Sequence, residues 1–337
     1  MLRPGPRNLI TDVDGILVGN AADQALRSGV TVVLPEPAAL AAVDVRGGGM
    51  GTRETDLLHP ANTNQRVDAI VLSGGSAFGL DAASGVAHWL AAEGRGLEVR
   101  GFRVPIVPAA ILFDLANGGD KNWGAEPPYR RLGWAAVAAA GRDFPLGNIG
   151  AGLGATAGRI KGGLGSASAF DDSGLQIGAL MAVNPVGSVT MPGSNDLWAS
   201  PFEMAGELGG RGLPALEREL ALDLAAAGRV GGHTCIGVIA TNATLDKAQA
   251  WRVAMMAHDG LARAIRPVHT PFDGDSLFVL STARLPLTEP LPLALTRIGH
   301  IAADCVARAV ARAVLAAESL GETPSLRALL AGTKPGA

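Results

Sequence analysis

A layered α/β sandwich is the fold this sequence predicts, and three observations predict it. Aromatic side chains are scarce, 8 Phe, 5 Trp and 1 Tyr among 337 residues, so the core has to be assembled from Ala, Val, Leu and Ile. With 46 Gly and 21 Pro, short elements are joined by glycine turns and can approach one another closely. The last third of the chain then runs strand, helix, strand, helix, the order of an α/β fold. The 48% hydrophobic content, against 18% charged residues, suffices for a large buried core, and composition leaves one domain or two open.

Taken in order, strands are predicted at Gly29–Leu34, Ala41–Val45 and Ala69–Leu72, apolar runs bounded by Gly, Pro or Asp. The glycine turn at Ser73–Ser76 leads into a helix over Gly79–Ala92. Arg103–Leu115 is apolar but interrupted by Pro105 and Pro108, which predicts an irregular buried passage. Gly147–Ser168 is rich in glycine, and Leu175–Val183 reads as a strand ending at Asn184-Pro185. Thr190–Gly212 is turn-rich, and Leu216–Ala227 reads as a helix. A break at Val230–His233 precedes a strand at Thr234–Thr241. Thr244 is placed to cap a helix on which Trp251, Met255, His258 and Ile265 recur with helical period. A strand at Ser276–Thr282 and a long helix over Leu295–Leu320 follow, with Asp304 and Arg308 spaced as an i,i+4 pair.

Several function classes are disfavoured at once. The 28 Lys and Arg against 31 Asp and Glu leave a net charge of −3, which gives no footprint for a nucleic acid. No apolar stretch has the length of a bilayer span, and the first residues lack a signal-peptide core, so a cytoplasmic protein is expected. Cys235 and Cys305 are too few and too isolated for a zinc cage, and the six histidines show no ligand spacing. No metal is expected.

Gly150–Ala155 fits the G-x-G-x-x-A pattern, but Arg142–Asn148 ahead of it carries Pro145 and forms no strand, so close backbone packing is expected there and no cofactor. The Gly75-Ser76 turn lacks the final glycine of a nucleophile elbow, Phe78 standing in its place. His258 falls on the apolar side of its helix, and His269 is placed to brace the following turn. The strongest signal pairs Gly231-Gly232-His233-Thr234-Cys235 with Asp273-Gly274-Asp275: a hydroxyl opens a strand after a glycine turn, and two carboxylates flank one glycine in a later loop. The pairing fits a nucleophile beside acidic partners, and equally an ordinary Asp-Gly-Asp turn.

Gly74–Asp81, Val107–Ala110, Asn184–Gly187, Thr234–Asn242 and His269–Phe278, in that order along nearly the whole chain, resemble the DmpA-type aminopeptidase family, which includes β-peptidyl aminopeptidases and nylon-oligomer hydrolases. The resemblance implies a four-layer αββα sandwich of the N-terminal-nucleophile-hydrolase kind, related in shape to ornithine acetyltransferase. It also implies self-cleavage between His233 and Thr234 into chains 1–233 and 234–337. Thr234 would be the nucleophile and its freed α-amine the base. Asp273 and Asp275 would orient that amine or hold the substrate's amino end, and Asn184 would donate to the oxyanion.

Three residues depart from the family pattern. Arg159 stands where Lys is usual, with Lys161 two residues on. Phe113 replaces Tyr, and His233 precedes the scissile bond in place of Asn or Gly. Arg159 is therefore expected to hold a carboxylate or oxyanion and not to act as a base, with Phe113 and Lys161 expected to contact substrate. The implied substrates are small peptides or short oligoamides, and the implied assembly is a homo-oligomer, a tetramer of cleaved units. Acyl transfer to an amine acceptor and a catalytically weakened binding protein are the alternative readings.

Overall fold

The computed structural model describes residues 1–212 and 232–332. The helix expected over Leu216–Ala227 lies outside the described residues. Nine strands carry the architecture: β1 (Ile16–Asp23), β2 (Ser28–Pro35), β3 (Ala39–Val45), β4 (Ile70–Ser73), β5 (Ala109–Ile111), β6 (Gly163–Phe170), β7 (Gln176–Asn184), β8 (Thr234–Ala243) and β9 (Ser276–Leu285). One sheet has the order β1-β2-β4-β5 and ends on the short strand Thr52–Arg53; the other has the order β6-β7-β8-β9-β3 and ends on Arg66–Val67. Helices α1 (Ala82–Ala92) and α2 (Tyr129–Ala138) cover the first sheet, and α3 (Lys247–Ala264) and α4 (Leu291–Ala316) the second. The result is a four-layer αββα sandwich.

Period-two alternation along the strands assigns each side chain to a layer. In β8, Ile236, Val238 and Ala240 face the other sheet and pack with Val18, Ile70, Leu72 and Phe278. Cys235 and Ile239 face the opposite way, toward Val253, Leu261, Ile298 and Val306 of α3 and α4. Thr234 has the parity of the residues between the sheets. So does Asn184, which follows Leu180 and Ala182 of that inner layer and pairs in register with Thr234 across β7 and β8. The pattern that buries the core thus sets both polar side chains side by side at one end of the inter-sheet layer.

Some local expectations are corrected. The passage Arg103–Leu115 is not irregular throughout: Ala109–Ile111 forms the buried strand β5, parallel to β4. Phe102–Val104 forms an exposed hairpin strand with Leu97–Val99. Part of the glycine-rich segment is strand β6, because α4 lies directly on it: a Cβ at Gly165 would sit 2.0 Å from the Ala309 carbonyl oxygen, so only glycine admits that approach. The cap of α3 is Asp246, whose side chain accepts from the Gln249 N–H while Gln249 returns a bond to the Asp246 N–H, a reciprocal arrangement that Thr244 cannot supply from two residues upstream. Asp304 and Arg308 do not pair with each other. Asp304 takes Arg263 at 2.6 Å, and the buried Arg308 guanidinium takes Glu207.

His258 is fully buried under the second sheet, its Nε2 3.0 Å from the Asp44 carbonyl oxygen. Burial, with the charges of neighbouring His269 and Arg46, pulls its pKa down to about 4, against opposing effects of the Asp44 carbonyl and carboxylate. The unfolded chain, with an ordinary imidazole near 6.5, therefore binds the proton first as pH falls. Stability from this group is present above about pH 6.5 and is lost between there and about pH 4, by roughly 3 kcal/mol. Chemical denaturation as a function of pH should show this acid limb in the native chain and a flatter one in His258→Phe.

Candidate active site

Two loops and two strand ends come together around the start of β8. Thr234 opens β8, is buried, and donates its Oγ1–H to the carbonyl oxygen of His233, the residue directly before it. The Thr234 hydroxyl oxygen therefore rests against the His233–Thr234 peptide unit. Gly274, between the two aspartates, sits so close that a Cβ there would be 3.0 Å from Thr234 Oγ1 and 2.5 Å from the Gly49 carbonyl oxygen.

Asn184 joins three segments. Its Oδ1 accepts from the Thr156 N–H at 2.8 Å, and its Nδ2 donates to the carbonyl oxygens of Phe113 at 3.2 Å and Gly232 at 3.3 Å. The first contact fixes which way the amide points. The second and third aim its N–H groups at the facing sheet and at the chain just upstream of the His233–Thr234 bond. A donor held in this way, in a largely dry layer, is preorganised for developing negative charge.

Asp273 and Asp275 are each about 1% exposed. The Asp273 carboxylate accepts from the Val186 N–H at 3.1 Å and from the Thr270 N–H and hydroxyl at 3.0 and 2.6 Å. That of Asp275 accepts from the Cys235 N–H at 2.7 Å and from His269 Nδ1 at 2.7 Å. Burial pushes the Asp275 pKa up, and the negative charge of Asp273 adds to the rise, while the His269 bond opposes it. Two carboxylates thus stand beside the start of β8, one tied to the Asn184–Val186 segment and the other to the backbone nitrogen after Thr234. Cys235 is a core thiol: it is fully buried, and its pKa is raised well above 9 by burial and by Asp275 and Asp273.

Arg159 is exposed and lines a cavity of about 560 Å³ whose wall also includes Arg266, Trp198 and Val186. Val186 is two residues from Asn184, so this cavity adjoins the site. Phe113 is half-buried and contributes its carbonyl oxygen to Asn184. Lys161, expected to contact substrate, instead turns inward. It is 1% exposed, and its ammonium donates to the carbonyl oxygens of Gly152, Ala155 and Gly162 at 3.0, 2.8 and 3.1 Å. All three of its protons are used on the loop that carries Thr156, which makes it a brace for that loop. Gly150–Gly152 of the same loop packs against β2 and β6, as expected of close backbone packing.

Sequence reasoning missed the groups that lock these side chains in place. They are the Thr156 N–H, the Phe113 carbonyl and Gly47–Gly49, against which the aspartate loop packs. A Cβ at Gly47 would lie 2.4 Å from the Asp273 carbonyl oxygen, and one at Gly48 2.6 Å from that of Pro271. The run Arg46-Gly47-Gly48-Gly49 was the available signal. Gly274→Ala is expected to lower kcat by about 10²-fold or more, because the methyl must displace backbone at Gly49 and so shift both aspartates. A rate measurement alongside thermal melting separates this from simple unfolding.

The sequence profile of peptidase family S58 matches residues 8–325. An uncharacterized aminopeptidase of Mycobacterium tuberculosis is 45% identical over 96% of this chain and 98% of its own. A 6-aminohexanoate-oligomer endohydrolase of a Kocuria species is 31% identical over 92% of this chain and 86% of its own. Among solved structures, the L-aminopeptidase D-Ala-esterase/amidase of Ochrobactrum anthropi, described as a variant of the Ntn-hydrolase fold, superposes with a TM-score of 0.71 at 24% identity, covering 95% of this chain and 89% of that one. The four-layer sandwich is the Ntn-hydrolase fold.

Proposed function

Since the chain belongs to peptidase family S58, and is thereby a hydrolase, we propose that it cuts its own His233–Thr234 bond and then hydrolyses amides with Thr234 as an N-terminal nucleophile. The observation that carries this reading is the Thr234 hydroxyl lying on the His233 carbonyl, with Asn184 donating one residue upstream.

In maturation, Thr234 Oγ1 bonds to the His233 carbonyl carbon, the C–N bond to Thr234 breaks, and the hydroxyl proton passes to the departing nitrogen. Water then cleaves the resulting ester, leaving a carboxylate on His233 and an α-amine on Thr234. With the upstream chain released, the Asn184 N–H that had bonded Gly232 becomes available to another carbonyl. In catalysis the α-amine, with an ordinary pKa of about 7.7–8.0, takes the Oγ1 proton as Oγ1 bonds to the substrate carbonyl carbon. Asn184 Nδ2 holds the oxyanion. The leaving amine takes the proton; water, deprotonated by the same α-amine, then bonds to the acyl carbon, the bond from that carbon to Oγ1 breaks with return of the proton to Oγ1, and the acid leaves. Asp273 and Asp275 hold this amine or the amino end of the substrate, and Arg159 offers a guanidinium at the cavity mouth.

Small peptides cleaved from the amino end and short oligoamides are the proposed substrates, in line with the names of the aminopeptidase and oligomer-hydrolase relatives. Incubation with aminoacyl p-nitroanilides and 6-aminohexanoate oligomers, with products separated by mass, tests the reading. Free acid and free amine are expected. Acylated amine as the main product would assign the acyl-enzyme to transfer instead, and no turnover of either class would overturn the hydrolase reading.

A further inference from the structure

We propose that His269 is a positioning residue for this reaction: its ring N–H holds Asp275, and Asp275 holds the peptide nitrogen directly after the nucleophile. The inference rests on the Thr234 reading and adds a residue to it. One Asp275 oxygen accepts the Cys235 N–H at 2.7 Å; the other accepts two donors from His269, the ring Nδ1 at 2.7 Å and the backbone N–H at 3.2 Å. Ring and backbone converge on one oxygen because His269 takes a left-handed conformation, φ 54°, which an L side chain seldom adopts. An irregularity of that kind beside a nucleophile is a sign of a geometry the site requires.

The surroundings fix the ring. His258 of α3 meets it edge-on, with centroids 4.9 Å apart. His269 Nε2 is buried without a partner, so Nδ1 is the ring nitrogen committed to a hydrogen bond, the one to Asp275. The other charged groups near the pair are Asp273 in the same loop, and Asp44 with Arg46 at the end of β3, where Arg46 Nε bonds Asp44 at 2.8 Å. His258 is already committed to the Asp44 carbonyl. The Asp275 carboxylate therefore depends on His269 for its side-chain donor, and without it the carboxylate is held by the Cys235 and His269 backbone N–H groups alone, with less to fix its orientation at Cys235. Thr234 would then lose the restraint on the peptide immediately following it, while the substrate-facing wall around Arg159 and Trp198 stays as it is.

The test uses full-length protein and an aminoacyl p-nitroanilide. His269→Phe keeps a ring against His258 but removes the N–H; His269→Asn places an amide N–H near the Nδ1 position. His269→Phe is expected to lower kcat by about 10- to 100-fold with KM changed less than about threefold, and His269→Asn to return kcat to within about fivefold of the native enzyme. A purely structural role would lower the melting temperature of both variants and give no such rescue. His269→Phe with kcat within about twofold of native, or His269→Asn as impaired as His269→Phe, would overturn the assignment; should the Phe variant not fold, the Asn variant decides alone by the same limits. Intact masses taken on the same samples distinguish the two levels. Native enzyme with a chain beginning at Thr234 and unchanged His269→Phe kinetics removes only the role of His269, whereas active but uncut native enzyme removes the Thr234 reading and this role with it.

Discussion

Thr234→Ala is expected to yield a single 337-residue chain with activity reduced at least about 10³-fold, the scale on which removal of a nucleophile acts. The loss has two origins that one substitution cannot separate. Without Oγ1 no ester forms at His233, so the chain stays whole and the amine that would serve as base never appears. Without Oγ1 there is also no atom to receive the acyl group. Thr234→Ser supplies the same oxygen in a site buried between the sheets and should restore both cleavage and turnover, whereas Thr234→Cys tests whether a different nucleophile is tolerated there. Denaturing gels and steady-state rates on the three variants read the two effects together. The native fold should survive in all of them, since the packing of β8 depends on Ile236, Val238 and Ile239.

The second large effect is expected at Asn184. Asn184→Asp keeps an oxygen to accept the Thr156 N–H, now bonded at 2.8 Å, but replaces the Nδ2 donor by an acceptor. Loss of one oxyanion donor lowers kcat by about 10²–10³-fold, or roughly 3–4 kcal/mol of transition-state stabilisation, with KM little affected. Asn184→Ala should lose the same factor and in addition leave the Thr156 N–H without its partner, at a stability cost of about 1–3 kcal/mol. Comparing the two by kinetics and melting temperature separates donation to the oxyanion from support of the Thr156 loop. Equal kcat in Asn184→Asp and the native enzyme would remove Asn184 from the chemistry.

The fold was legible where side chains declare themselves. Thr234–Thr241 and Ser276–Thr282 are apolar, bounded by turns, and they form β8 and β9 with only their far ends extended, to Ala243 and Leu285. It was illegible where glycine does two jobs. Gly147–Ser168 reads only as glycine-rich, yet the glycines of Gly163–Phe170 let α4 lie on a strand, a demand set by a helix some 140 residues further on. Ile16–Asp23 likewise lacks a clean alternation, and its pairing with β2 along eight residues decides it. In the site, motif resemblance brought out Thr234, Asn184, Asp273 and Asp275, and these four do meet. What sets their geometry is mostly backbone: the Thr156 N–H, the Phe113 and Gly232 carbonyls, the Val186 and Cys235 N–H groups. Backbone groups have no residue signature, so only folding reveals them. Lys161 shows the converse. Its charge and its place two residues after Arg159 suggested contact with substrate, but tertiary structure spends its three protons on carbonyls of its own loop.

The account stands most directly on where the working polypeptide begins. Intact-mass measurement of freshly purified enzyme, paired with an activity assay on the same fraction, should find two chains whose masses meet between His233 and Thr234, with activity rising in step with the cut fraction. A fully active preparation whose only species is the unbroken 337-residue chain would contradict it.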